Sequence, residues 1–392
     1  MEGQSGSDPT TESLDETLDL PEGIEEVDAE PPPAGSLLNP PTAPAMRRTA
    51  TGPVPSASAA TSSAPVQQPN LAGPYSEGME IPGYTLDAPL GHGGMAQVWK
   101  ASRLTTAGVV VPCVVKAILE GKEHDARFQR KFLDEAEIYA RLRHPNLVQV
   151  IDVGRVQGRL YLAMEWIEGL DGTALVVRAR RRKVEIPLRH VVYIIKETLQ
   201  GLHHAHTARD GGFVHRDISP GNILISRDGA VKLADFGVAR SVEALAAERR
   251  KTMAGKLHYF APELVTGRSS SSVSSDIFAL GVTFYELLSC APLFPRRAQW
   301  PELRRTIAAF DPRKLIEDDL TMPEGLEDIL LRCLARDPRD RYRSALEFLE
   351  DISDFAYESG IRLLDAHFAR YIQRFLELDR AGQPSLLGEG GA

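Results

Sequence analysis

Residues 213–237 hold three side chains whose spacing could do chemistry together. The run Phe213-Val214-His215-Arg216-Asp217-Ile218-Ser219-Pro220-Gly221-Asn222 places an amide five residues after a carboxylate, on one turn. Ile223-Leu224-Ile225 and then Leu233-Ala234-Asp235-Phe236-Gly237 bring a second carboxylate back after a short hairpin. These groups can converge on one metal–phosphate cluster. That is the requirement of phosphoryl transfer, in which a protein mainly positions the attacking hydroxyl and lets metal ions neutralise charge. His215-Arg216-Asp217 alone also reads as an ordinary polar turn; Asn222 and Asp235 in register remove that reading.

Several elements must position such a cluster. Strand-like runs Gly83–Leu90 and Gln97–Ser102 flank the glycine-rich turn Leu90-Gly91-His92-Gly93-Gly94-Met95-Ala96-Gln97-Val98, where backbone N–H groups could approach phosphate oxygens without Cβ interference. A third strand is expected over Val111–Ile118. It carries Lys116, a buried ammonium that is costly unless paired. The run Arg127–Leu142 is amphipathic, with Phe132, Ala136, Tyr139 and Ala140 on one face. Leu147–Val153 and Arg159–Trp166 read as two strands about a Gln157-Gly158 turn. Val191–His206 reads as a buried helix leading into the chemistry-bearing loop. Leu364, Phe368, Tyr371, Ile372 and Phe375 lie at helical spacing in a last amphipathic helix, expected to pack on the larger lobe, with a dimer contact as its second use.

In order and in residues these segments resemble bacterial Hanks-type (eukaryotic-like) serine/threonine protein kinases over roughly 275 residues. Residues 213–237 resemble the catalytic loop and DFG segment, the glycine turn the G-x-G-x-x-G-x-V loop, and Val114-Val115-Lys116 the V-A-I-K strand. The resemblance implies an α+β bilobal fold, a small sheet plus one helix over a mainly helical lobe, with ATP and Mg²⁺ (or Mn²⁺) between. It implies that Asp217 orients the hydroxyl and that Asn222 and Asp235 hold metal. Lys116 would hold the α and β phosphates, fixed by Glu135. Glu135 is preferred to Glu137 because it precedes Ala136 and lies nine residues before His144-Pro145-Asn146, as in the family it resembles. Tyr161-Leu162-Ala163-Met164-Glu165-Trp166-Ile167 resembles the hinge: Met164 as gatekeeper, backbone of Glu165 and Ile167 on adenine, and Asp171 facing ribose. Asp276 would anchor the catalytic loop, and Glu263 would pair with Arg341.

Four positions depart from the family's patterns. The third glycine of the loop is Ala96. Serine/threonine kinases carry lysine two residues after the catalytic aspartate and tyrosine kinases arginine four residues after it; here those positions are Ser219 and Gly221. Losing that cation could cost on the order of 10²-fold in rate. In Met253-Ala254-Gly255-Lys256-Leu257-His258-Tyr259-Phe260-Ala261-Pro262-Glu263 the family's threonine is Lys256. A hydroxyl and a lysine have exchanged places, so Lys256 is expected to supply the ammonium missing at Ser219. The competing reading is a pseudokinase, an ATP-binding scaffold with little transfer. A small-molecule kinase is the third class, against which the glycine loop and Ala261-Pro262-Glu263 argue. Thr252, four residues before Lys256 and after Arg249-Arg250-Lys251, is the expected regulatory phosphorylation site through Arg216, with Ser241 second.

The totals bound the rest. Of 27 prolines 13 lie in residues 1–78, with few large apolar residues, so this acidic, then Pro/Ala/Ser-rich segment is expected to be a disordered tail. The kinase domain is expected over 79–356, with its small lobe at 79–166 and large lobe at 167–356, followed by the helix and a frayed end at 357–392. Net charge is −9, but residues 1–80 hold 13 acids and two bases, so the remainder is slightly positive (−9 + 11 = +2). Nucleic acid is therefore not an expected partner; proteins are, possession of an acceptor site by the chain itself included. No apolar run reaches the length of a membrane span, and no signal peptide is expected. Cys113, Cys290 and Cys333 are too scattered for a disulfide framework, which suits a reducing cytoplasm.

Overall fold

The computed structural model describes residues 75–92, 96–119, 125–156, 158–209, 211–236, 257–296, 298–317 and 322–382. The chain divides into two units, Met1–Pro65 and Val66–Ala392, and every described residue lies in the second. The expected disorder of the tail and the fraying after residue 382 lie outside the described residues. Packing is already present at Tyr75, inside the segment expected to be tail: its ring is 7% exposed and lies 5.4 Å from the Arg159 guanidinium.

A six-stranded antiparallel sheet is built from β1 (Glu80–Ile81), β2 (Tyr84–His92), β3 (Ala96–Leu104), β4 (Val110–Ile118), β5 (Val150–Val156) and β6 (Arg159–Glu165), in the order β1-β2-β3-β4-β6-β5. Alternation along β4 divides its side chains between two cores. Cys113, Val115 and Ala117 join Leu86, Trp99 and Tyr161 on one face. Val114, Lys116 and Ile118 therefore take the other, where α1 (Ala126–Arg141) lays down Phe132, Ala136 and Tyr139. Met164 of β6 pairs with Val114 and shares that face. Ala96 is strand, paired with Ile118, so its backbone does not need a glycine.

One strand begins later than expected. Residues 147–149 lie outside β5: the Gln149 carbonyl still accepts from the Glu165 N–H of β6, but Leu147 bridges Leu233 of a second hairpin in parallel and the Val148 N–H donates to the Leu233 carbonyl at 3.0 Å. That hairpin belongs to a three-stranded sheet of β7 (Gly169–Asp171), β8 (Ile223–Ser226) and β9 (Val231–Leu233).

The rest of the chain is helical: α2 (Gly172–Arg182), α3 (Leu188–His206), α4 (Pro262–Thr266), α5 (Val273–Ser289), α6 (Trp300–Ala308), α7 (Lys314–Glu317), α8 (Leu326–Cys333), α9 (Ala345–Glu358) and α10 (Asp365–Gly382). Apolar residues on nearly every face of α3 and α5 make them the central pair. Ser272 and Ser275 form a capping box that starts α5 one residue before Val273. The expected boundary at 356/357 cuts through the end of α9. Leu364, expected on the buried face of the last helix, precedes it and is 48% exposed. Phe368, Ile372 and Phe375 do bury, seating α10 against α3. None of the described helices is long and apolar enough to cross a membrane.

The α3–α10 seam contains a buried imidazole. His190 is 3% exposed and stacks on Tyr371 at 4.3 Å, with Phe368 at 5.5 Å. Burial, aided by the charges of Arg189 and His367, lowers its pKa from 6.5 to about 4. Between those values the unfolded chain binds a proton that the fold refuses, so stability rises with pH there and falls on acidification. The expected loss is on the order of 1–2 kcal/mol by about pH 5. Melting curves at stepped pH check this: His190→Gln protein should show the flatter profile.

Candidate active site

Lys116 is the centre of the arrangement. Its Nζ donates to Glu135 Oε1 at 2.7 Å and to Asp235 Oδ1 at 3.0 Å, so a strand, a helix and a loop meet at one ammonium. Burial by itself would lower the Lys116 pKa, but the carboxylates of Asp235 and Glu135 outweigh it and hold the ammonium above its ordinary range. Burial pushes the Glu135 carboxyl up while Lys116 draws it back. Two carboxylates share one cation, and this surplus of negative charge is what a divalent ion relieves. Glu137 points elsewhere: it pairs with Arg141 in an exposed i, i+4 bridge.

The loop bearing Asp217 is held by its neighbours. Asp276, 1% exposed, accepts from the backbone N–H groups of His215 at 2.7 Å and Arg216 at 2.8 Å, and His206 Nε2 lies 3.0 Å from it. Arg216 has a φ of 66°, a left-handed conformation costly for a side-chain-bearing residue, which those two bonds maintain. His215 is fully buried, and burial keeps its pKa low. Its Nδ1 accepts from the Asp217 N–H at 3.2 Å, which assigns the proton to Nε2, directed at the Ala234 carbonyl at 3.0 Å. That bond joins the loop to the Asp235 segment. Gly172 is a glycine because a Cβ there would lie 2.8 Å from the Pro220 carbonyl oxygen, so α2 can press against this loop.

Asn222 Nδ2 donates to the Asp217 carbonyl at 2.7 Å, which leaves Oδ1 as the atom the amide offers a ligand. Asp235, with φ of 56°, turns its carboxylate toward Lys116. Amide and carboxylate oxygens are hard donors that suit Mg²⁺ or Mn²⁺. Among the described residues no cluster of three or more His, Cys, Asp and Glu could hold a metal. Asn222 and Asp235 would offer two such oxygens to an ion that takes its further ligands from phosphate and water.

The remaining expected positions surround this centre. Leu90 and Gly91 end β2, and Ala96, Gln97 and Val98 begin β3, with His92 opposite Gln97. Gly93, Gly94 and Met95 lie outside the described residues, as do Ser241, Thr252 and Lys256. Met164 is buried. The Glu165 carboxylate accepts from the Gln149 N–H and from Lys232, both at 2.8 Å, and Ile167 follows in the connection to β7. Asp171 caps α2, accepting from the Ala174 N–H at 2.8 Å. Ser219 is buried at 5% exposure. Glu263 and Arg341 form a bidentate pair with both bonds at 2.8 Å.

One contributor was read from the sequence only as core. The Asp235 N–H donates to the Tyr139 hydroxyl at 2.6 Å, and the Tyr139 ring packs edge-on to Phe236 at 5.6 Å. The signal was a tyrosine on the buried face of an amphipathic helix, since a buried phenol needs a polar partner. It lies one turn beyond Glu135, so α1 touches the Lys116 centre at two points. Tyr139→Phe keeps the ring and removes the acceptor. The metal concentration for half-maximal activity should rise roughly threefold to tenfold with little change in melting temperature; a magnesium titration checks it.

The sequence model of the protein kinase domain matches residues 84–351. The chain is 35% identical over 312 residues to the tyrosine-protein kinase MasK of Myxococcus xanthus, covering 76% of this chain and 47% of that protein. It is 33% identical over 275 residues to the serine/threonine-protein kinase PknA of Mycobacterium tuberculosis, covering 69% and 60%. With PrkC of Bacillus subtilis, another serine/threonine-protein kinase, identity is 30% over 271 residues, covering 69% and 40%. The chain thus spans about half the length of these relatives. The crystal structure of the M. tuberculosis PknI kinase domain superposes with a TM-score of 0.51 at 30% identity, covering 71% of this chain and 99% of that one. With the family model matched over most of the chain and relatives of this identity, the chain belongs to the protein kinase family, in its bacterial Hanks-type branch.

Proposed function

We propose that this chain transfers the γ-phosphoryl group of ATP to serine and threonine hydroxyls of proteins, its own included, in the cytoplasm. The observation that carries the reading is the junction of Lys116 with Glu135 and Asp235, which closes one helix and the metal-binding segment onto a single ammonium. Lys116 holds the α and β phosphates. Asn222 and Asp235 hold Mg²⁺ or Mn²⁺, and the bound ion supplies charge neutralisation at the phosphates. Asp217 orients the acceptor hydroxyl and takes its proton. Met164 bounds the adenine pocket, with backbone of Glu165 and Ile167 on the base and Asp171 beside the ribose. Phosphorylation of Thr252 regulates the enzyme through Arg216.

Serine/threonine acceptance is supported by PknA and PrkC and opposed by the name of MasK. Acid hydrolysis of labelled product resolves it: phosphoserine and phosphothreonine are expected, and phosphotyrosine alone would overturn the acceptor assignment. Lys256 replaces the cation missing at Ser219. Lys256→Ala should therefore lower kcat on the order of 10²-fold, and Ser219→Lys in that background should recover much of it. Unchanged turnover in Lys256→Ala protein disposes of the exchange.

A further inference from the structure

Arginines over much of this surface have acidic partners. Arg130 meets Asp134, Arg141 meets Glu137, Arg313 meets Asp311, Arg339 meets Asp337, and Arg332 reaches Glu347 and Asp351. With 54 acidic residues against 45 Lys and Arg, that is the ordinary outcome. The seam between α3 and α10 departs from it. Arg189 and His190 face His367, Arg370, Tyr371 and Arg374 across a cavity of about 330 Å³. A neighbouring cavity of about 470 Å³ shares Arg189 and His367 and adds Arg362. Among the described residues no carboxylate lines either cavity, and none of these four arginines makes an ion pair.

The placement is built by the fold. His367, Arg370 and Arg374 recur at three- and four-residue spacing, so α10 presents them on one side while Phe368, Ile372 and Phe375 seat the other. Tyr193 donates to Asp365 at 3.2 Å, and Arg182 donates to the Phe375 carbonyl at 3.1 Å, pinning both ends of the contact. Arg189 Nε points to His190 Nε2 at 3.4 Å, and Arg370 Nε to its own helix at the Ala366 carbonyl, 3.3 Å away. The match to the kinase domain stops at residue 351, before α10, the far wall of the cavity, begins.

We propose that this seam is a docking site for phosphoserine or phosphothreonine on a protein segment. A phosphate monoester carries close to two charges and three acceptor oxygens, matched to several guanidinium forks at once, where a carboxylate brings one charge. The site is concave, which a flat bilayer cannot enter. A nucleic acid would need a longer basic track than this seam offers. An already phosphorylated protein would thus be held outside the catalytic cleft. That consequence rests on the kinase reading; the binding itself does not.

The test is fluorescence anisotropy on the full chain. The probes are a degenerate peptide pool with a fixed central phosphothreonine, the same pool with threonine, phosphatidylserine vesicles and single-stranded DNA. The phosphorylated pool should bind at least about tenfold more tightly than its twin. Arg370→Gln combined with Arg374→Gln should remove that difference while transfer to an unphosphorylated peptide is unchanged. Free phosphothreonine should displace the pool from the unaltered chain, which gives the same answer without any substitution. Equal binding of the two pools, or a difference that survives the double variant, overturns the proposal, as does binding confined to vesicles or DNA.

Discussion

Asp217→Asn protein is expected to bind ATP as tightly as the unaltered chain and to lose roughly 10²- to 10⁴-fold in kcat. The separation follows from which atoms hold the loop. The bonds of Asp276 and Asn222 to this segment use backbone N–H and carbonyl groups of residues 215–217, none of which the substitution removes. The Lys116 centre likewise uses Glu135 and Asp235, not the Asp217 side chain. An amide in place of the carboxylate keeps the shape and loses the proton acceptor. Steady-state rates set beside an ATP titration check both halves, and an equal loss of ATP affinity would show that Asp217 acts on the nucleotide rather than on the hydroxyl.

The second large effect is on stability. Arg341→Ala should cost about 3–5 kcal/mol, because it strands the Glu263 carboxylate, 7% exposed, in the interior. Arg341 also donates to the carbonyls of Ala335, Ser274 and Arg336, and stacks 4.8 Å from the Phe278 ring. One guanidinium thus ties α4 to α5 and to the turn after α8. Removing both charges with Glu263→Gln and Arg341→Met should return part of the loss, since the desolvation cost disappears with the ion pair. Urea unfolding of the single and double variants measures the difference.

The two effects show why some of this site was legible in the sequence. Lys116 stood out because an ammonium in an apolar strand requires a partner, and the alternation of β4 put it on the face toward α1. Choosing Glu135 over Glu137 followed from the family resemblance, which places the glutamate before Ala136 and nine residues ahead of His144, and the structure pairs Glu137 with Arg141 at the surface instead. Asp276 and the Glu263–Arg341 pair came from family resemblance, since partners 60 and 78 residues apart leave no local pattern. The same distance hid the Tyr139 hydroxyl bond to Asp235, and the basic wall that α10 builds against Arg189. Residues 147–149 read as strand from composition, but the Leu147 N–H donates to His144 and the Val148 N–H to Leu233 in the other sheet, while Gln149 keeps its backbone bond to Glu165 of β6, a tertiary choice that overrides local propensity. Tyr75 reads as tail because it follows a Pro/Ala/Ser-rich run, and its ring joins the apolar cluster of Ile81, Tyr84 and Leu86 and lies over Arg159.

The central claim is that the Lys116, Asp217, Asn222 and Asp235 constellation passes phosphoryl from ATP to protein. The most direct measurement is incubation of the chain with γ-labelled ATP and Mg²⁺ and a protein acceptor, with and without EDTA, followed by counting label on protein. The account predicts label that appears with magnesium and vanishes with the chelator. Saturable binding of ATP with no label on any protein would contradict it.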